Sequence, residues 1–329
     1  MKKLISSLVL GACTSLVAAP AVMAQDTAEL ESVTYLLPAP QNLPAFAPWL
    51  IAKQAGYFAD RGLDVDFVSG KGGVDVAKQV GAGNAPIGGA MGDTSIIVRA
   101  NDIPVKSVAV LGDGGMLLIA SPADAPINEP AELEGKTITT IAYTDTGYYG
   151  LLGTLQKAGL TRDDAEIQAA GPAGVWQLVA NGKADAMAGV ADWVVNIEDT
   201  GMELNLMDPS KAFETMSQAI VVADDTIKNN PKFVQDMVDA TLLGMKLIME
   251  DPDEAVRVYV EAVPAHKGNE DYIRRVFDLY NKYVYADQKV LGKIDSDRLS
   301  RVQDFYVSQG IVRNESPLDE LYTNQFIKE

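Results

Sequence analysis

Apolar runs and amphipathic stretches alternate along this chain in a regular order. Residues 33–37 (VTYLL), bounded by Pro38 and Pro40, predict a short buried strand. A helix opens around Pro44 and Pro48 and runs to about Tyr57, with Gly56 and Gly62 marking its end. Residues 63–68 predict a second strand, 74–80 a second helix, and 85–91 a third strand of small residues. Asp93, Thr94 and Ser95 suit a helix start, where side-chain oxygens satisfy free N–H groups. Residues 105–111 complete a first series. Strands alternating with helices predict an α/β fold with mostly parallel sheet.

Gly112, Gly114 and Gly115 break the pattern, and a second series begins. It has strands at 117–120, 137–142, 166–169 and 184–190, and helices at 148–159 and 175–181. After 204–206 comes a further strand at 219–222. The two series echo one another. VGAGNA at 80–85 leads through IGGAMG to Asp93, and VANGKA at 179–184 leads through AMAGVA to Asp192. Gly83 therefore pairs with Gly182, and Asp93 with Asp192, as in an internal repeat. From Asp224 onward the pattern is helical, with Phe233, Met237, Thr241 and Met245 on one face. This tail is expected to pack across one or both halves.

Composition narrows the function. The chain is 47% hydrophobic and 22% charged, which fits a folded core. Its formal charge of −18 argues against nucleic acid and anionic lipid, both of which need a basic surface. Cys13 is the one cysteine and His266 the one histidine, too few for a Cys/His zinc site. Lys2 and Lys3, the apolar stretch 4–17, and Val22-Met23-Ala24 read as a secretory signal peptide cut after Ala24. LGAC at 10–13 leaves lipid attachment at Cys13 as an alternative. Cleavage removes the cysteine, so the mature chain forms no disulfide.

Familiar catalytic motifs fail. Position 130 is Pro130 where a phosphate loop ending at Gly135-Lys136-Thr137 needs glycine. Asp145-Thr146-Gly147 matches the aspartic-protease triplet, but the place equivalent to it in the first half holds Asp93-Thr94-Ser95. A helix cap at Thr144 or Asp145 is the better reading.

Ligands in open α/β sheets sit beyond the carboxyl ends of the strands. Those ends carry Asn42 and Trp49, then Asp93 and Thr94, in the first half. In the second they carry Tyr143, Thr144, Asp145, Thr146, Gly147 and Tyr148, then Asp192 and Trp193. Two facing halves would make these loops a cleft. Tyr148 and Trp193, just past strand ends, read as ligand walls. Trp49 and Tyr149, inside helices, read first as core. Ionised Asp93, Asp145 and Asp192 accept hydrogen bonds and donate none, which suits an amine or aminopyrimidine. No arginine lies in these loops, and Arg99 is expected to point away. Each aspartate can also serve only as a cap. An anion held at helix N-termini is the other reading.

At this point a family resemblance is visible. AKQAGYF at 52–58, GLDV at 62–65, QVGAGNA at 79–85, IPV at 103–105 and PAELEGKTI at 130–138 resemble periplasmic substrate-binding proteins of ABC importers. The match is to the branch for sulfonates, taurine and thiamine-pyrimidine precursors, and it covers about residues 33–222. The resemblance implies a two-lobed type II fold with two crossovers, near 112–115 and 216–219, closing on ligand like a hinge. Residues 1–24 would be the signal peptide, 25–113 with 220–329 the first lobe, and 114–219 the second. It implies a periplasmic monomer, without cofactor or metal, handing a small solute to an inner-membrane ABC permease. A sensor-type binding protein would share the site and differ in its membrane partner. The branch also contains a pyrimidine-synthesising enzyme with an active-site histidine and a cysteine-rich segment. Nothing here matches that segment, and His266 falls in the helical tail.

Overall fold

The computed structural model describes residues 30–286 and 288–328. The signal-peptide and Cys13 readings lie outside them. The first half contains strands β1 (Glu31–Leu37), β2 (Leu63–Ser69), β3 (Ile87–Met91) and β4 (Val105–Val110). Helices α1 (Ala47–Gln54), α2 (Gly73–Gly81) and α3 (Thr94–Arg99) connect them. The second half contains β5 (Leu118–Pro122), β6 (Thr137–Thr140), β7 (Glu166–Ala169), β8 (Ala186–Gly189) and β9 (Leu204–Leu206). Its helices are α4 (Thr146–Lys157), α5 (Gly171–Ala180) and α6 (Ala191–Glu198). Strand β10 (Gln218–Ala223) follows.

Two five-stranded mixed sheets result. The first has the order β2-β1-β3-β10-β4, and the second β7-β6-β8-β5-β9. In each, three parallel strands meet one antiparallel strand: β10 against β3, and β5 against β8. That inserted strand sits beside the crossover, so both halves repeat one topology. Gly83 and Gly182 take matching left-handed conformations (φ 77° and 65°) just after α2 and α5. The chain leaves the first sheet through 111–117 and returns through 207–217, so the expected return at 216–219 already overlaps β10.

The tail consists of α7 (Asp224–Asn229), α8 (Pro231–Glu250), α9 (Pro252–Ala262), α10 (Glu270–Tyr280), α11 (Ser296–Ser308) and α12 (Leu318–Leu321). Residues Asn281–Tyr285 continue α10 as a π-helical turn. Met237, Thr241 and Met245 of the expected face are buried. Helix α8 crosses α1 closely, because a Cβ at Gly244 would collide with the Pro48 carbonyl. The tail also reaches the second sheet. One apolar core unites α1, α8, α9 and α10 with Val175, Val194 and Val195 of α5 and α6. A separate cluster joins Leu299, Val302 and Tyr306 of α11 to Ile96 of α3 and to Tyr149 and Leu152 of α4. The tail thus spans both halves. Among the described residues, no helix is long and apolar enough to cross a membrane.

Candidate interlobe site

The two repeat-related aspartates occupy equivalent places and are each held by a tail tyrosine. Asp93 follows β3 and is 1% exposed. Its Oδ2 accepts a hydrogen bond from Tyr306 Oη at 2.8 Å, and its Oδ1 has no protein partner. Burial pushes the carboxyl up to about 6. The Tyr306 bond and its own backbone N–H oppose that rise, Asp145 adds to it, and Arg298 opposes it. Asp192 is the second residue of α6 and is 4% exposed. Its Oδ1 accepts from Tyr280 Oη at 2.9 Å, and its Oδ2 from the Ala45 N–H at 3.4 Å. Burial raises it to about 6 as well, against the Tyr280 and Ala45 bonds. Neither carboxylate makes a side-chain helix cap.

Asp145 does. Its Oδ1 accepts from the Gly147 N–H at 2.8 Å at the start of α4, and burial raises its pKa. A Cβ at Gly147 would lie 2.8 Å from that same oxygen, so glycine keeps the cap open. Thr146 is buried beside it. The structure therefore splits the three acids. The charge of Asp145 adds to the rise at Asp93, whereas Asp192 lies in a separate nest. Asp145 caps α4, Asp192 has a protein donor on each oxygen, and Asp93 keeps one oxygen free.

The aromatic candidates divide too. Tyr143, Tyr148, Tyr149 and Tyr306 form a chain of ring contacts at 5.3, 5.8 and 5.5 Å that ends at Asp93. Tyr143 is 46% exposed, with its hydroxyl bonded to the Ile167 carbonyl and Arg162 over its ring. Trp193 is half-buried and covers Gly189, where a Cβ would come within 2.6 Å of its ring. Trp49 belongs to the core. It is 1% exposed and gives its indole N–H to Tyr35 Oη at 2.7 Å. Asn42 presents its backbone carbonyl to Tyr259 Oη (2.8 Å) and to His266 Nε2 (3.2 Å). Thr94 is buried against Gly73 of α2, and Thr144 is exposed.

The tail supplies what the loops lack. Arg298 opens α11 and donates from its two terminal nitrogens to the carbonyls of Asp113 and Thr215. It thereby ties the outgoing crossover to the returning one. Its Nε, the Thr215 hydroxyl and Asp93 Oδ1 are buried without partners. Arg99, by contrast, is committed to Asp224 at 3.0 Å, as expected. Tyr280, Tyr306 and Arg298 were not among the sequence candidates. The available signal was that seven of the 12 tyrosines fall after Asp224, in helices that need buried acceptors for them.

An open groove of about 700 Å³ lies elsewhere, on the outer face of α9 and α10. Its two arginines are already paired, Arg257 with Glu254 and Glu261, and Arg274 with Asp253 and Asp278. No cluster of three His, Cys, Asp or Glu among the described residues could hold a metal ion.

Residues 43–255 match the family described as NMT1/THI5 like. The chain belongs to that family. A riboflavin-binding protein, RibY of Chloroflexus aurantiacus, is 26% identical over 94% of this chain and 89% of its own. A yeast 4-amino-5-hydroxymethyl-2-methylpyrimidine phosphate synthase, THI13 of Saccharomyces cerevisiae, is 23% identical over 90% of this chain and 88% of its own. The fold is that of the periplasmic aliphatic sulphonate-binding protein SsuA of Escherichia coli. That structure superposes with a TM-score of 0.70 at 14% identity, over 89% of this chain and 91% of its own. The family and the two-lobed fold agree with the resemblance read from the sequence.

Proposed function

We propose that this protein is an extracytoplasmic solute-binding component of an ABC importer, and that it captures a small nitrogen-heterocyclic solute between two lobes. The lobes divide at 113/114 and, since β10 belongs to the first sheet, just before Gln218 rather than at 219/220 in this reading. The observation that carries it is Asp93 Oδ1. A buried carboxylate oxygen without a protein donor is costly unless a ligand N–H meets it. Tyr148 and Tyr149 lie on the ring chain leading to it and suit a flat heterocycle. A relative named for riboflavin and another named for an aminopyrimidine phosphate belong to the same chemical class. The protein performs no chemistry of its own. Asp93 is held by Tyr306, and Asp192 by Tyr280 and the Ala45 N–H, an arrangement that speaks against the two acids working as an acid–base pair. The solute would pass to a permease in the inner membrane, with the protein a periplasmic monomer.

A sulfonate or aromatic carboxylate is the second reading, and Arg298 favours it. Both its terminal nitrogens already bond crossover carbonyls, its Nε has no partner, and the charge of Asp93 near it repels an anion, so it ranks second. The experiment is a thermal-shift screen of the mature chain, stripped of carried-over ligand. The panel holds riboflavin, 4-amino-5-hydroxymethyl-2-methylpyrimidine, aromatic acids, taurine and alkanesulfonates. A ligand at about a hundred times its dissociation constant adds roughly 2.7 kcal/mol. A shift with heterocycles is expected. A shift with sulfonates or acids alone would move the site to Arg298 and the helix N-termini.

A further inference from the structure

We propose that Asp192 is a proton-dependent latch between the lobes, which closes the molecule by taking up a proton. The proposal rests on the binding-protein reading above. Its ground is geometric. Asp192 stands on α6 beside the second sheet, and its two donors besides its own backbone come from the first half and from a tail helix that packs on α9 and on the turn 44–46. Ala45 N–H belongs to the turn Pro44–Phe46 after β1, and Tyr280 Oη to α10. Closing the lobes therefore moves this carboxyl from water into a tyrosine nest.

The groups around it are nameable. Tyr280 and Tyr272 face it from α10, Tyr259 from α9, and Tyr285 from the π turn. His266 stacks on Tyr272 behind them and meets the Asn42 carbonyl. Arg275 of α10 is taken by Glu198 and Asp199 at the far end of α6. No cation is among the groups that set the ionisation of Asp192. The nest thus has donors for one oxygen at 2.9 Å and a long contact for the other, and it lacks a counter-charge.

The sign follows from linkage. In the closed form the carboxyl titrates at about 6. Once open to water it returns to the ordinary range near 3.9. Between those values closing binds a proton, so closure strengthens as pH falls and weakens as pH rises through about 6. The closed-to-open ratio is expected to be about tenfold larger at pH 5 than at pH 7.5 from Asp192 alone.

The test uses the absence of cysteine from residues 25–329. Lys78→Cys on α2 and Gln177→Cys on α5, both exposed, take a fluorophore pair, one per lobe. Single-molecule energy transfer gives the closed fraction without ligand at pH 5 and 7.5. The expected result is a shift of about tenfold or more in the labelled protein, reduced by about tenfold in Asp192→Asn. Tyr280→Phe removes a bond that holds the pKa down, so its midpoint should move to higher pH. That variant keeps the test open should Asp192→Asn fail to fold. Asp93→Asn and Asp145→Asn give the shares of the two other buried acids beside the cleft. An unchanged pH response in Asp192→Asn overturns the latch. So does a closed fraction that ignores pH yet answers to riboflavin or 4-amino-5-hydroxymethyl-2-methylpyrimidine, and that outcome leaves the binding reading standing. A distance that answers to neither pH nor those probes contradicts both.

Discussion

At the residue scale, two buried acids in separate places are held alike, each by one tail tyrosine, and differ in what their second oxygen does. Asp93 Oδ1 is open and Asp192 Oδ2 is taken by Ala45. Both pKa values are raised, to about 6, chiefly by burial. A raised folded pKa means that the native state holds a proton which the unfolded chain has released. The two acids' contribution to stability is full below the unfolded value near 3.9, falls as pH rises from there through about 6, and is lost above it. Each acid contributes on the order of 1–3 kcal/mol to this decline. The melting temperature should therefore fall by several degrees between pH 5 and 7.5, and the Asp93→Asn Asp192→Asn double variant should flatten the curve. Scanning calorimetry across that range is the check, and a wild-type curve that rises would refute the assignment. Tyr306→Phe removes a hydrogen bond to a charged group, worth about 1.5–3 kcal/mol. It should lower the urea midpoint at pH 7.5 and push Asp93 further up, visible as a shifted carboxyl titration by NMR.

The element scale explains what could be read in advance and what could not. Strands announced themselves as short apolar runs. Helix starts carried Asp and Pro, and both α/β series ended their helices at Gly83 and Gly182, where φ is positive. These are local signals. The tyrosines that hold Asp93 and Asp192 are 213 and 88 positions away, and no periodicity encodes such pairings. Arg298 lies 185 and 83 positions from its carbonyl partners and carries no local signal for the same reason. Trp49 was ambiguous because a ring inside a helix can face either way, and Tyr35 decides it. Glycines give a contrast that measures the packing. Gly244→Ala drives a methyl into the Pro48 carbonyl where α8 crosses α1, and should cost about 1–3 kcal/mol or more. Gly83→Ala meets open space and pays only for its left-handed backbone, about 1–2 kcal/mol. Urea titration of the two variants should rank them in that order, and a reversed order would contradict the tight α1–α8 crossing.

At the scale of the whole molecule, the tail converts two similar α/β halves into one device. Helices α8 and α9 pack on the first half, α10 lies between α9 and α6 of the second, and α11 touches both. Arg298 grips both crossovers at once, and Gly114 lets the outgoing one press on the carbonyl of Tyr283. Arg298→Lys keeps the charge but loses the planar fork that meets two carbonyls. It should leave the sheets folded by circular dichroism while broadening the interlobe distance distribution. An unchanged distribution would assign the hinge to the glycines alone. The central claim, however, is that the free oxygen of Asp93 reads an N–H of a heterocyclic solute. The most direct measurement is calorimetric titration of the mature wild type and Asp93→Asn with riboflavin, 4-amino-5-hydroxymethyl-2-methylpyrimidine and an alkanesulfonate. Loss of a charged hydrogen bond of about 1.5–3 kcal/mol predicts that the heterocycle binds the wild type and binds the variant roughly tenfold to a hundredfold more weakly. Equal affinity in the two proteins, or binding of the sulfonate alone, would contradict the account.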